Sequence, residues 1–131
     1  MITFSFDEGF TWYLDNISVI DTSANTELMN NGDFETGSLN AYCVCSGRLD
    51  SIHSRFPDHS GSYVYDARNM IDSTKLSQAL NTIPGRNYNV SFWLNKPFGF
   101  ESPLKVYMSK ANQNSFQMIF LLLIVSLIYM I

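Results

Sequence analysis

The sequence predicts an all-β body running from Met1 to about Tyr107, followed by an uncharged apolar helix, and three observations carry that reading. The polar load rests on Ser, Thr and Asn beside seven Tyr and ten Phe, a texture of strands and loops. Short runs with apolar residues at every second position recur between turn formers, and no 3.6-residue period appears before the tail. All twenty charged residues lie at or before Lys110, leaving Ala111 to Ile131 with none. The 131 residues amount to one domain, 46% hydrophobic content suffices for a core, and a net charge of −4 argues against both a basic nucleic-acid binder and a disordered acidic tail.

Ile2-Thr3-Phe4-Ser5-Phe6 alternates, placing Ile2, Phe4 and Phe6 on one face, and Asp7-Glu8-Gly9 ends the run. Thr11 to Ile20 continues as a second strand with Tyr13, Asp15, Ile17 and Val19 on one face and Trp12, Leu14, Asn16 and Ser18 on the other, so the two runs read as a hairpin over 1–20. Asp21 to Asn25 is small and polar, which suits a linker at 21–26 or a crossing between sheets. Asn31-Gly32 and Gly37 mark turns within Glu27 to Leu39, and an extended Asp33-Phe34-Glu35 sends Phe34 inward and both acids outward. Ser46 to Ser62 reads as loop, Ser62 to Tyr65 as a short strand, Leu76 to Leu80 as ambiguous, and Pro84 to Asn87 as a turn. Asn87 to Asn95 is the clearest strand: Tyr88, Val90, Phe92 and Leu94 share one face, and Trp93 is the lone aromatic on the other. Lys105 to Met108 is a final strand.

Trp12-Tyr13-Leu14-Asp15-Asn16-Ile17-Ser18-Val19, then Leu28 to Leu39 with its Asn31-Gly32-Asp33-Phe34-Glu35 core, then Gly85 to Leu94, together resemble the galactose-binding-like jelly-roll β-sandwich, in particular the family 4 and 9 carbohydrate-binding modules. In that family the asparagine-glycine-x-phenylalanine-glutamate segment opens the domain and the leucine-aspartate-asparagine strand closes it. Here the order is reversed. The chain therefore reads either as incomplete, the end of one module at 1–20 joined to the front of another at 27–110, or as circularly permuted. The permuted arrangement requires the 2–20 segment to pair with the strand at Asn87 to Leu94 or its neighbours.

The resemblance implies a structural calcium held by Glu35, Asp15 and backbone carbonyls, with Asp33 close by, since calcium takes six to eight oxygen ligands at about 2.3–2.6 Å. The competing reading makes Asp33 a turn cap and leaves Glu35 solvated. Sugar binding calls for an aromatic face flanked by amides, which points to Trp93 with Asn89 and Asn95, and to Tyr42, Arg48, Tyr63, Tyr65 and Trp12 as further candidates. Against this, aromatics at strand spacing commonly fill cores. Where the family carries a tryptophan after its opening segment, this chain has Asn40-Ala41-Tyr42.

No catalytic constellation is present, so the expectation is a protein that is not an enzyme. Asp33 and Glu35 share a strand face rather than flank a bond, and His53 and His59 fall in an expected loop. Cys43 and Cys45, one residue apart, either pair with partners elsewhere or stay reduced. Asn16-Ile17-Ser18 and Asn89-Val90-Ser91 are glycosylation sequons.

Phe116 to Ile131 as a helix spans roughly 24 Å, and counting from Ala111 brings it to about 31 Å, just enough for a membrane core of about 30 Å. Lys105 and Lys110 before this tail favour a cytosolic body, whereas the resemblance and the sequons favour an extracellular one. The expectation is a non-catalytic carbohydrate-binding or extracellular adhesion module facing a glycan or glycoprotein surface, with 111–131 as a membrane tether. The alternatives are a tail-anchored protein facing the cytosol, a ligand-free spacer repeat, and a truncated gene-model fragment without independent function.

Overall fold

A computed structural model describes residues 1–45, 51–54, 60–69, 73–98 and 104–108. These residues form two antiparallel sheets in a sandwich-like all-β arrangement. The strands are β1 (Ile2–Phe6), β2 (Phe10–Asp21), β3 (Thr26–Glu27), β4 (Cys43–Cys45), β5 (Ser51–Ser54), β6 (Tyr63–Asn69), β7 (Thr74–Gln78), β8 (Tyr88–Phe98) and β9 (Lys105–Met108). The four-stranded sheet runs β4-β7-β1-β9. The five-stranded sheet is organised around the long β2: β8 pairs along one edge, and β6 and β3 share the other, with β5 outside β6.

The expected hairpin of β1 and β2 does not form. β1 pairs with β7 and β9 in one sheet, and β2 with β3, β6 and β8 in the other, so Asp7-Glu8-Gly9 is an arch between sheets. The physical reason is that both strands turn their large side chains into the same interior, where Phe6 meets Trp12 (ring centroids 6.5 Å) and Tyr65 (6.0 Å), and Phe4 meets Phe92 edge-on at 5.2 Å. A flat hairpin would leave that surface facing water. β1 lies between β7 and β9, and even its outward Thr3 and Ser5 are buried, Thr3 meeting Ser77 hydroxyl to hydroxyl at 2.9 Å.

The face assignment along β2 also changes midway. Trp12 and Leu14 are buried, but so are Ile17 and Val19, because a bulge between Asp15 and Ser18 shifts the register against β8. Asn16 takes φ +47° there, a left-handed conformation that Asn tolerates better than most side chains. Trp12, Leu14, Ile17 and Val19 thus share the interior, and Tyr13 and Asp15 take the opposite side.

The bulge is where the segment after β3 docks. Ile17 N–H donates to Gly32 O at 2.8 Å, and Leu28 N–H to Val19 O at 2.9 Å. A Cβ on Gly32 would collide with the Ile17 carbonyl oxygen, so this approach requires glycine. Asn31 and Phe34 have φ of +54° and +56°, a tight coil that drives Phe34 into the core, fully buried between Tyr42 (5.3 Å) and Tyr65 (5.9 Å). Gln78 clamps the same segment through both its amide atoms, accepting from Asn30 N–H and donating to Asn30 O, each at 2.8 Å.

Residues 22–25 make the tight turn joining β2 to β3, with Asp21 Oδ1 accepting from Ser23 and Ala24 N–H and Asp21 Oδ2 from Arg86 Nη1 at 2.7 Å. Beside it, Glu27 Oε1 accepts the N–H groups of Val19, Leu28 and Met29 at 2.8–2.9 Å, and Oε2 accepts the Ser18 hydroxyl. Partial burial pushes the Glu27 carboxyl up, but the Ser18 hydroxyl and the three amides outweigh it and hold it below its ordinary 4.5. A carboxyl lowered on folding contributes stability that is whole above the unfolded value and is lost as pH falls through the folded one. Glu27→Gln is therefore expected to cost about 1 kcal/mol at pH 7 and to flatten the loss of stability below about pH 4.5, as read by urea denaturation at several pH values.

Candidate functional site

Phe92 reaches Phe4 across the interior, so the odd-numbered residues of β8 face outward from the five-stranded sheet. Cross-strand register then assembles the site. Trp93 lies opposite Asp15, and Asn95 opposite Tyr13, which is itself opposite Asp66 of β6. The result is a ladder of two aromatics, an amide and two carboxylates on one sheet face. Trp93, Tyr13 and Asn95 are half-buried, Asn89 and Ser91 are exposed, and Asp15 and Asp66 are each 1% exposed. Asp15 Oδ1 accepts Asn16 N–H at 2.7 Å, which fixes the carboxylate at the bulge. A planar indole held by its strand beside accessible amides can stack on the apolar face of a ring while the amides bond hydroxyls.

The sequence-derived candidates divide. Trp93, Asn89 and Asn95 come together on this face. Tyr42 is spent inside: its ring stacks on Phe34, its hydroxyl donates to Asn31 O at 3.0 Å, and burial, with the charges of Asp33 and Asp15 adding to it, pushes its phenol well above the ordinary value. Tyr65 and Trp12 are core residues, and Tyr63 packs against the core. Arg48, His59 and the 111–131 tail lie outside the described residues, and His53 sits in β5. Tyr13 and Asp66 join this face through strand pairing. Tyr13 carried a signal, since it alternates with Asp15, but Asp66 enters only through the long-range pairing of β2 with β6.

Asp33 and Glu35, two of the acids of the expected calcium site, accept backbone amides. Asp33 Oδ1 accepts Glu35 N–H at 3.3 Å, the turn-cap role. Glu35 Oε1 accepts Ser62 and Tyr63 N–H at 2.7 and 3.0 Å and lies against Gly61, where a Cβ would collide with it. Among the described residues no three His, Cys, Asp or Glu side chains gather into a group that could hold a metal ion.

A cavity of about 400 Å³ opens elsewhere, between Glu27, Asn30, Gln78 and Asn81. Its principal polar walls, Glu27 and Gln78, are already committed to backbone groups. Asn16 is exposed at the bulge, and Cys43 and Cys45 are exposed free thiols. Among the described residues no helix is long and apolar enough to cross a membrane. Compared with known protein families, curated proteins and solved structures, the chain matches none of them.

Proposed function

We propose that the chain is a non-catalytic glycan-binding or extracellular adhesion module built as a circularly permuted galactose-binding-like jelly roll. The observation that carries the binding role is Trp93, half-buried on the outward face of the five-stranded sheet with Asp15, Tyr13 and Asn95 beside it in register. Two features support the permuted architecture. β2 pairs with β8 from Thr11 to Asp21, the contact that a displaced closing strand must make, and the Asn31 to Glu35 segment docks directly on the β2 bulge. Apart from β2 to β3 and β5 to β6, successive strands alternate between the sheets, the connectivity of a jelly roll.

The ligand class is a neutral saccharide, because the accessible groups on this face are the Trp93 and Tyr13 rings with the Asn89 and Asn95 amides and the Ser91 hydroxyl, which bond sugar hydroxyls and offer no accessible cation to an acidic sugar. The reading is tested on a glycan array probed with the full-length chain and with Trp93→Ala. Binding by the parent should drop at least about tenfold in the variant, the loss of a stacking contact worth about 1.5 kcal/mol. An array without any bound glycan would favour the ligand-free spacer instead.

A further inference from the structure

β4 is the edge of the four-stranded sheet, and among the described residues it pairs only with β7, with Cys43 opposite Ser77, Val44 opposite Leu76 and Cys45 opposite Lys75. Val44 turns inward against the core, so both cysteines stand on the outward face as exposed free thiols. Within an extended strand, residues two apart are separated by about 6.7 Å, beyond the Cβ separation of about 3.5–4.5 Å that a disulfide needs, so the two do not join each other without unmaking β4. The cysteine-x-cysteine pattern is, however, self-complementary. When two such strands pair antiparallel about their central residue, position 43 of each copy falls opposite position 45 of the other, twice, on the same face. Directly opposed Cβ atoms lie about 4.5–5.5 Å apart, close to disulfide range.

We propose that β4 is a self-association edge at which two copies of this chain pair antiparallel about Val44 and are locked by two symmetry-related Cys43-to-Cys45 disulfides. An unpaired strand edge presents the amides and carbonyls that such pairing uses. Three residues of strand bury far less than the roughly 1,200 Å² of a stable interface, so the covalent links hold the pair and association follows the redox state. The oxidant is a low-molecular-weight disulfide of the glutathione class. One cysteine thiolate attacks it, forming a mixed disulfide and releasing one thiol. The facing thiolate of the second copy then displaces the other thiol and forms the interchain S–S bond. Two rounds convert four protein thiols and two small disulfides into two interchain disulfides and four small thiols. The first link makes the second effectively intramolecular. The proposal is independent of the glycan reading.

The test uses the full-length chain in non-ionic detergent, oxidised with glutathione disulfide and read on non-reducing gels, with circular dichroism to check that each variant retains the fold. The parent should give a dimer that reductant returns to monomer. Cys43→Ser and Cys45→Ser leave like residues out of register, so each alone should cross-link slowly, whereas an equimolar mixture restores one opposed pair and should cross-link at least about tenfold faster. Either single variant cross-linking with itself as fast as the mixture, or a parent that loses both thiols while remaining monomeric, would overturn the proposal.

Discussion

Replacing Gly32 by Ala is expected to lower stability by about 4 kcal/mol or more, enough to remove much of the margin of a single small domain. The added Cβ would overlap the Ile17 carbonyl oxygen, a backbone atom that no rotamer change can move aside. Either the loop withdraws, breaking the 2.8 Å bond from Ile17 N–H and pulling at Phe34, or the β2 bulge yields. Losing the bulge would exchange the faces of every residue beyond it, sending Ile17 and Val19 toward solvent. Gly9→Ala is the control: its φ of +82° is strained for Ala, but nothing lies within contact of the new methyl, so the cost should stay near 1 kcal/mol. Urea midpoints followed by far-ultraviolet circular dichroism separate the two cases, and equal losses would mean that Gly32 acts through flexibility rather than close approach.

Phe34→Ala is expected to cost about 3–5 kcal/mol, because the ring is fully buried and links Tyr42 and Tyr65, with Tyr65 in turn against Phe6. Its backbone adds a finer expectation. At φ +56° any side chain is strained, and Ala keeps that strain whereas Gly relieves about 1 kcal/mol of it. Phe34→Gly should therefore be no less stable than Phe34→Ala despite losing one more carbon. A glycine variant clearly less stable than the alanine variant would show that the coil from Asn31 to Phe34 is not held in this conformation.

What the sequence disclosed depended on whether the determining interaction was local. β1 and β8 alternate, so both their existence and their inward faces were legible, and β9 was legible as a strand. β2 misled because the parity changes inside it. The apolar positions 12, 14, 17 and 19 are spaced two, three and two apart, and Asn16 at the odd gap is the visible trace of the bulge. The arch after β1 resembles a hairpin in sequence, since a short polar turn serves either, and only the shared burial of Phe6 and Trp12 decides between them. β4 and β5 are short edge strands in a Ser-rich stretch without apolar alternation, which leaves a period-based reading little to find. In the candidate site Trp93 stood out as an aromatic on a polar face, whereas its company of Tyr13 and Asp66 is set by pairings between distant strands.

The claim that the outward face of the five-stranded sheet binds saccharide through Trp93 is met most directly by fluorine NMR of the full-length chain labelled with 5-fluorotryptophan. The chain has two tryptophans, and they occupy opposite environments: Trp12 is 2% exposed in the core and Trp93 is half-exposed on the proposed face. Trp93→Phe assigns the two resonances. Titration with a saccharide that the chain binds should move the Trp93 resonance in proportion to occupancy and leave the Trp12 resonance in place, whereas a stationary Trp93 resonance at saturation would contradict the account.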